Sequence, residues 1–216
     1  MKILSWLAVL ALVLVTGCSA VESVFPPAED GRQGDLLYQD DFSDPRSGWD
    51  TWDKDESAIN YQDGGLRMLV KVANRDVWSR PQGRYDNVRV AVTVKRLSGP
   101  KDNDFGIICR YQDPQNFYAF LASSDGYVSI VKVLEGEYTL LGSKTMEFRQ
   151  AIRTDDSVNH IGAECSGSRL VLYANGELLL SAKDDEFSEG GVGLIAGAMD
   201  KPNVELLFDN FIVTRY

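Results

Sequence analysis

From Leu36 onward, apolar and polar residues alternate with a period of two. In Val88-Arg89-Val90-Ala91-Val92-Thr93-Val94-Lys95, four valines share one side and Arg89, Thr93 and Lys95 the other. That is the pattern of a half-buried strand. Residues 66–72, 105–111, 117–122, 127–133, 159–166, 169–174, 177–183, 191–198 and 204–216 read the same way. They are rich in the β-branched and aromatic residues that suit a pleated surface. Asn175-Gly176 separates two apolar runs and supplies the positive backbone angles of a two-residue hairpin. Asp63-Gly64-Gly65, Asp125-Gly126 and Ser166-Gly167 are similar turn signals. Only residues 144–153 could carry a helical turn, and no long segment repeats every 3.6 residues. Many short strands at this spacing predict one all-β domain over 36–216, built as a two-sheet antiparallel sandwich.

The first 35 residues follow another pattern. Met1-Lys2 precedes an apolar run from Ile3 to Val15, broken only by Ser5. The run is short against the ~20 residues a membrane-spanning helix needs, and it reads as a secretory signal rather than an N-terminal core helix. Val15-Thr16-Gly17-Cys18 then resembles the bacterial lipobox, which implies diacylglycerylation of Cys18 and cleavage before it. The expected organisation is a signal peptide over 1–17, a lipidated tether over 18–35 carrying Pro26-Pro27, and the sandwich. The expected location is extracytoplasmic, lipid-anchored to the cell membrane or outer membrane.

Composition narrows the classes. Of 216 residues, 44% are hydrophobic and 25% charged, in the globular range. The net charge of -10, with no basic run, excludes electrostatic binding of nucleic acid. One histidine, His160, and three cysteines are too few for multi-histidine or four-thiolate metal sites. With Cys18 lipidated, Cys109 and Cys165 remain in a thiol-poor compartment. Alternation turns both toward a core, so the expectation is a disulfide, with two separate buried thiols as the alternative.

A series of segments carries a family resemblance. It runs through Asp40-Asp41-Phe42-Ser43-Asp44, Ser47-Gly48-Trp49, Phe105-Gly106-Ile107-Ile108-Cys109-Arg110-Tyr111, Asn116-Phe117-Tyr118 and Asp125-Gly126-Tyr127. Tyr173-Ala174-Asn175-Gly176, Gly191-Val192-Gly193-Leu194 and Phe208-Asp209-Asn210-Phe211 complete it. Together these resemble the concanavalin A-like jelly rolls, of the laminin-G-like and 3-keto-disaccharide hydrolase-like group in bacterial lipoproteins. The resemblance implies a jelly roll, and it implies lectin, glycosidase or ligand-free relatives without choosing among them. The Glu-x-Asp-x-x-Glu strand of retaining glucanases is absent, and Glu135, Glu137 and Asp184-Asp185-Glu186 fall where turns and loops are expected. The hydrolase-like branch has segments replaced here by Asp41-Phe42-Ser43-Asp44 and Asn103-Asp104-Phe105-Gly106. No Gly-x-Ser-x-Gly elbow occurs, and His160 reads as a sheet-surface residue. No recognisable catalytic motif remains. The resemblance also leaves room for a structural calcium near the termini, with Asp41 and Asp209 as oxygen ligands; the alternative is that Asp209-Asn210 makes a bulge or caps a turn.

The expected activity is that of a binding module for carbohydrate or cell-envelope glycan. The alternatives are an accessory lipoprotein docking an envelope protein, or a glycan hydrolase with a non-standard site. Aromatic faces stack on pyranose rings, while amides, carboxylates and Arg bond the hydroxyls. Trp49, Trp52, Tyr61 and Trp78 are the platforms on offer, and Arg110, Asn116 and Tyr118 the polar contacts. Trp52, Trp78, Arg110 and Tyr118 are the residues expected at the site. If the lipobox reading holds, Cys18→Ser abolishes incorporation of labelled fatty acid and leaves precursor or soluble protein. Unchanged labelling of that variant rejects the anchor.

Overall fold

A computed structural model describes residues 24–25 and 34–216. The signal-peptide segment, Cys18 and most of the expected tether lie outside the described residues. In chain order the strands are β1 (Leu36–Asp40), β2 (Trp52–Asp53), β3 (Ser57–Gln62), β4 (Gly65–Val70), β5 (Arg75–Ser79) and β6 (Val88–Ser98). There follow β7 (Asn103–Asp113), β8 (Asn116–Ala122), β9 (Tyr127–Leu134), β10 (Glu137–Leu141) and β11 (Glu147–Phe148). The last are β12 (Asn159–Ser166), β13 (Arg169–Ala174), β14 (Glu177–Lys183), β15 (Gly191–Ala198) and β16 (Val204–Arg215). No helix occurs among the described residues, so none is long and apolar enough to cross a membrane. The stretch 144–153 holds β11 and a turn instead of a helical turn.

Two antiparallel sheets form. A nine-stranded sheet runs β14-β13-β12-β6-β16-β4-β3-β2, with β1 also on β16. A seven-stranded sheet runs β10-β9-β8-β7-β15-β5, with β11 beside β9. The chain is an all-β, two-sheet antiparallel jelly-roll sandwich. Alternation explains the layering. Val88, Val90, Val92 and Val94 of β6 all point inward and are at most 2% exposed. They meet Phe105, Ile107, Phe120, Ile130 and Leu194 of the other sheet in one core. Each such side chain contributes about 1.5–3 kcal/mol by leaving water.

Three features tie the layers together. Cys109 of β7 and Cys165 of β12 form a disulfide between the sheets, closing a sequence separation of 56 residues. Phe42, Trp49 and Phe211 pack edge-on near β1, and Trp49 donates its indole N–H to Asp40 Oδ2 at 2.9 Å. Trp49 is 5% exposed and is therefore core, unavailable as a ligand platform. Val24 and Phe25 are buried against the outer side of the nine-stranded sheet. They fill the space over Gly162, where a Cβ would lie 2.6 Å from Val24 and 2.9 Å from Phe25. The ring of Phe25 meets Tyr173 edge-on at 5.1 Å. At these two residues the expected spacer is docked on the domain.

Replacing both Cys109 and Cys165 by Ala is expected to lower the unfolding free energy by about 2–4 kcal/mol, because the bridge limits the unfolded chain. Urea titration with and without reductant reads this, and the double variant should lose its response to reductant.

Candidate functional site

The outer side of the seven-stranded sheet carries a second apolar cluster of Ile108, Tyr111, Phe117, Ala119, Leu121, Val131, Val133 and Ile195, packed by Trp78 and Leu140. Trp78 comes from β5 and Leu140 from β10, the two opposite edges of the sheet. Six strands laid flat would separate those edges by about 24 Å. Yet Tyr138 of β10 and Asp76 of β5 line one cavity and are close enough to influence each other's titration. The sheet is therefore curled, and its outer face is concave.

Residues Asp76, Trp78 and Arg80 alternate onto that face, and β15 makes room for them. Gly193 and Gly197 of β15 point the same way without side chains. A Cβ on Gly193 would lie 2.4 Å from Arg80 Cγ, and one on Gly197 would lie 2.2 Å from Asp76 Oδ1. Register places Gly197 opposite Asp76 on one side and Asp104 on the other. The two carboxylates thus face each other across a bare glycine. A strand position emptied in this way often marks the close approach of another group.

Two cavities share this face. One, of about 280 Å³, is lined by Asp76, Asp104, Tyr138, Leu121, Val131 and Leu140, among others. The second, of about 350 Å³, is lined by Trp52, Trp78, Arg80 and Tyr111, and it shares Arg75 and Asp76 with the first. Trp78 meets Phe117 at 5.5 Å, Tyr111 stacks on Phe117 at 5.8 Å, and the Arg80 guanidinium lies 3.7 Å from the Tyr111 ring centre. This end is an aromatic, partly cationic platform. Trp52 is held at the rim by an indole N–H donated to Ser57 Oγ at 2.9 Å.

The other end is acidic. Asp104 is 8% exposed, and its Oδ1 has no hydrogen-bond partner. Burial, reinforced by Asp76, Asp102 and Asp125, pushes its pKa up to about 7. Burial also raises Asp76, partly offset by the Tyr138 hydroxyl. An acid perturbed by desolvation and like charge inside a cleft is a candidate for a functional site.

The residues expected from sequence separate here. Trp52 and Trp78 come together in one groove. Tyr118 is fully buried on the inward side of β8, where its hydroxyl donates to Asp184 Oδ1 at 2.5 Å, so it cannot contact a ligand. Asp184, expected in a solvated loop, is tied by that bond and by Lys132 at 2.7 Å. Arg110 sits in a β-bulge with φ 52° and is 1% exposed. Its guanidinium donates to the carbonyls of Gly167 at 2.8 Å and Phe187 at 2.7 Å. It holds loops together and does not reach the concave face. Asn116 braces a turn through Asp113 at 2.9 Å. Asp41 and Asp209 are close enough for Asp41 to raise the Asp209 pKa. Asp41 Oδ1, however, already accepts from Ser43, and Asp209 Oδ1 from Asn210. Among the described residues no group of three or more His, Cys, Asp or Glu could hold a metal ion. Calcium seeks six to eight oxygens, and this pair does not fit that demand.

With the geometry in hand, the chain can be set beside known structures. No protein-family model matches it, and no curated protein matches it in sequence. Solved structures do. Carbohydrate binding module CBM66 from Bacillus subtilis superposes with a TM-score of 0.62 at 18% identity, covering 78% of this chain and 96% of that one. A Bacillus subtilis protein of unknown function with a galectin-like fold gives 0.65 at 14% identity, covering 85% and 97%. The GH43 protein BlXynB from Bacillus licheniformis, as a K247S mutant, gives 0.62 at 16% identity; 82% of this chain is covered but only 39% of that one. These likenesses describe a shared sandwich.

The Asp104 environment yields a stability signature. In the fold Asp104 keeps its proton to about pH 7, whereas the unfolded carboxyl loses it near 3.8. The folded state binds the extra proton in that window, so this residue's contribution to stability falls as pH rises through it. Asp104→Asn removes the slope. The variant is expected to gain up to about 4 kcal/mol over wild type above pH 7, with the gain shrinking toward pH 4. Denaturant titrations at several pH values check this.

Proposed function

We propose that the protein is a membrane-anchored, extracytoplasmic binding module whose concave sheet takes a carbohydrate, such as a cell-envelope glycan. The observation that carries the reading is the groove in which Trp52 and Trp78 converge beside Arg80 and Asp76. Indole faces bury the apolar faces of sugar rings at small entropic cost, while the guanidinium and carboxylate orient the hydroxyls. The likeness to a sandwich described as a carbohydrate binding module supports the same class. In this reading Cys18 carries the lipid. Val24, docked on the nine-stranded sheet, follows it by six residues, a reach of about 20 Å when extended. The nine-stranded sheet then lies toward the membrane and the concave face away from it.

A second reading, hydrolysis of the glycan, is favoured by one observation: two carboxylates with raised pKa values share the cleft. Asp104 would then be the proton donor, with Asp76 as its partner.

A glycan array probed with the detergent-solubilised chain, followed by calorimetry, tests the binding reading. Trp52→Ala is expected to weaken the best glycan about tenfold or more and to lower the melting temperature, because Trp52 lines the groove and is also half-buried against the main core. Trp78→Ala is expected to weaken it and also lower stability, because Trp78 packs on Phe117. Release of reducing ends by wild type but not by Asp104→Asn supports hydrolysis instead. Absence of any bound glycan rejects both readings.

A further inference from the structure

We infer that the carboxylate cavity beside the tryptophan groove is a subsite for a primary ammonium group, so that the glycan recognised is an amino sugar with a free amine. The inference rests on the glycan reading above and adds the chemistry of the second subsite.

Three observations carry it. First, the carboxylates lack a counter-ion. Neither Asp76 nor Asp104 has an ion pair among the described residues. Arg75 lines the same cavity, but its guanidinium is engaged by Glu56. Asp76 from β5 and Tyr138 from β10 line the cavity with Asp104, Asp102 from the turn before β7 and Asp125 from the β8–β9 turn act on it from farther off, and β15 presents only Gly197. Each of the carboxylates opposes a charge on Asp104, and none of these groups supplies a positive one.

Second, Asp104 lines the cavity, and its Oδ1 is buried without a hydrogen-bond partner. A buried carboxylate oxygen left unpaired costs free energy that a ligand donor recovers. An ammonium brings three donors and a full charge, enough to serve Asp76 and Asp104 across Gly197 together.

Third, the rest of the cavity suits an organic body better than a hydrated metal ion. Leu121, Val131, Leu140, Met146 and Met199 line it, and no third carboxylate closes a coordination sphere there. A pyranose ring has an apolar face for that wall and carries its amine at the edge. The shared lining at Arg75 and Asp76 lets one saccharide span both cavities.

The pH dependence separates this from the plain alternative, in which a neutral Asp104 donates to a sugar hydroxyl. An ammonium that stays charged across this range, as that of cyclohexylamine does, draws Asp104 into its charged form, so its binding releases a proton to the buffer near pH 6.5 and tightens as pH rises from 6 toward 7.5. A hydroxyl ligand on the neutral acid weakens over the same interval.

The experiment is isothermal calorimetry on the full chain in detergent, in two buffers of different ionisation enthalpy. The probes are the glucosamine tetramer, its fully N-acetylated counterpart, and cyclohexylamine as an ammonium without a sugar. The free-amine tetramer is expected to bind at least tenfold tighter than the acetylated one, and cyclohexylamine to bind with proton release. Asp104→Asn and, separately, Asp76→Asn are expected to erase the preference while keeping the wild-type circular dichroism. Equal or tighter binding of the acetylated tetramer overturns the inference but leaves the glycan reading standing. Binding of cyclohexylamine that depends on Asp104, with no saccharide bound, keeps the ammonium site and rejects the glycan. No response to any probe, or a calcium-dependent rise in melting temperature lost in Asp104→Asn, overturns the ammonium assignment.

Discussion

Eight buried side chains on the seven-stranded sheet point away from the sandwich core, and no third layer of the described residues lies over them. Apolar area of that size exposed to water would cost several kcal/mol at about 25 cal/mol per Å². The sheet hides it by curling, which draws Trp78 and Leu140 inward from opposite edges. Everything on the concave face follows from that curl. It brings Tyr138 near Asp76, lowers the dielectric around Asp104, and turns a flat β surface into two adjoining cavities. The bare positions of β15 permit it, since a side chain at Gly193 or Gly197 would strike Arg80 or Asp76.

The opposite face meets the same demand differently. The outward side of the nine-stranded sheet buries Glu164 at 0% exposure among Arg89, Arg169 and the Tyr173 hydroxyl, which donates at 3.1 Å. A buried carboxylate needs such company, because an unpaired one would be strongly destabilising. Arg89 also lies over the Phe25 ring at 5.4 Å, so the ionic cluster and the docked Val24–Phe25 segment cover one another. One face is thus closed by the chain's own N-terminal residues, and the other holds carboxylates without counter-ions. That contrast between a compensated and an uncompensated acid is the electrostatic basis for the proposed site on the concave side.

Legibility from sequence differed by residue. Alternation correctly grouped the inward valines of β6 and turned Cys109 and Cys165 toward one core. Trp52 and Trp78, candidate platforms by residue type, line one groove. Tyr118 and Arg110 were misread for identifiable reasons. Tyr118 sits on an inward position of β8, and a buried partner, Asp184, satisfies its hydroxyl. Arg110 occupies a bulge, and one extra residue in a strand reverses the face that alternation assigns. Asp76 and Asp104 were not singled out, because each looks like an ordinary polar residue at a strand end. A signal was nevertheless present in Gly191-Val192-Gly193-Leu194-Ile195-Ala196-Gly197-Ala198, where one side of the strand is nearly all glycine and the other all apolar. Such a strand is built for something to lie across it.

The period of two, the Asn-Gly and Asp-Gly turns and the order of segments determined by themselves that this chain is a sandwich, because strand periodicity and turn chemistry are local properties of neighbouring residues. They also determined which valines and cysteines face inward. Only the tertiary structure decided where a site lies. Asp76 and Asp104 belong to strands separated in sequence by β6, and they meet only because β15 slots between β5 and β7 with a glycine at the shared register. The raised affinity of Asp104 for its proton has the same origin. It comes from burial and from carboxylates brought close by the sheet's curl, and neither is a property of a residue and its immediate neighbours.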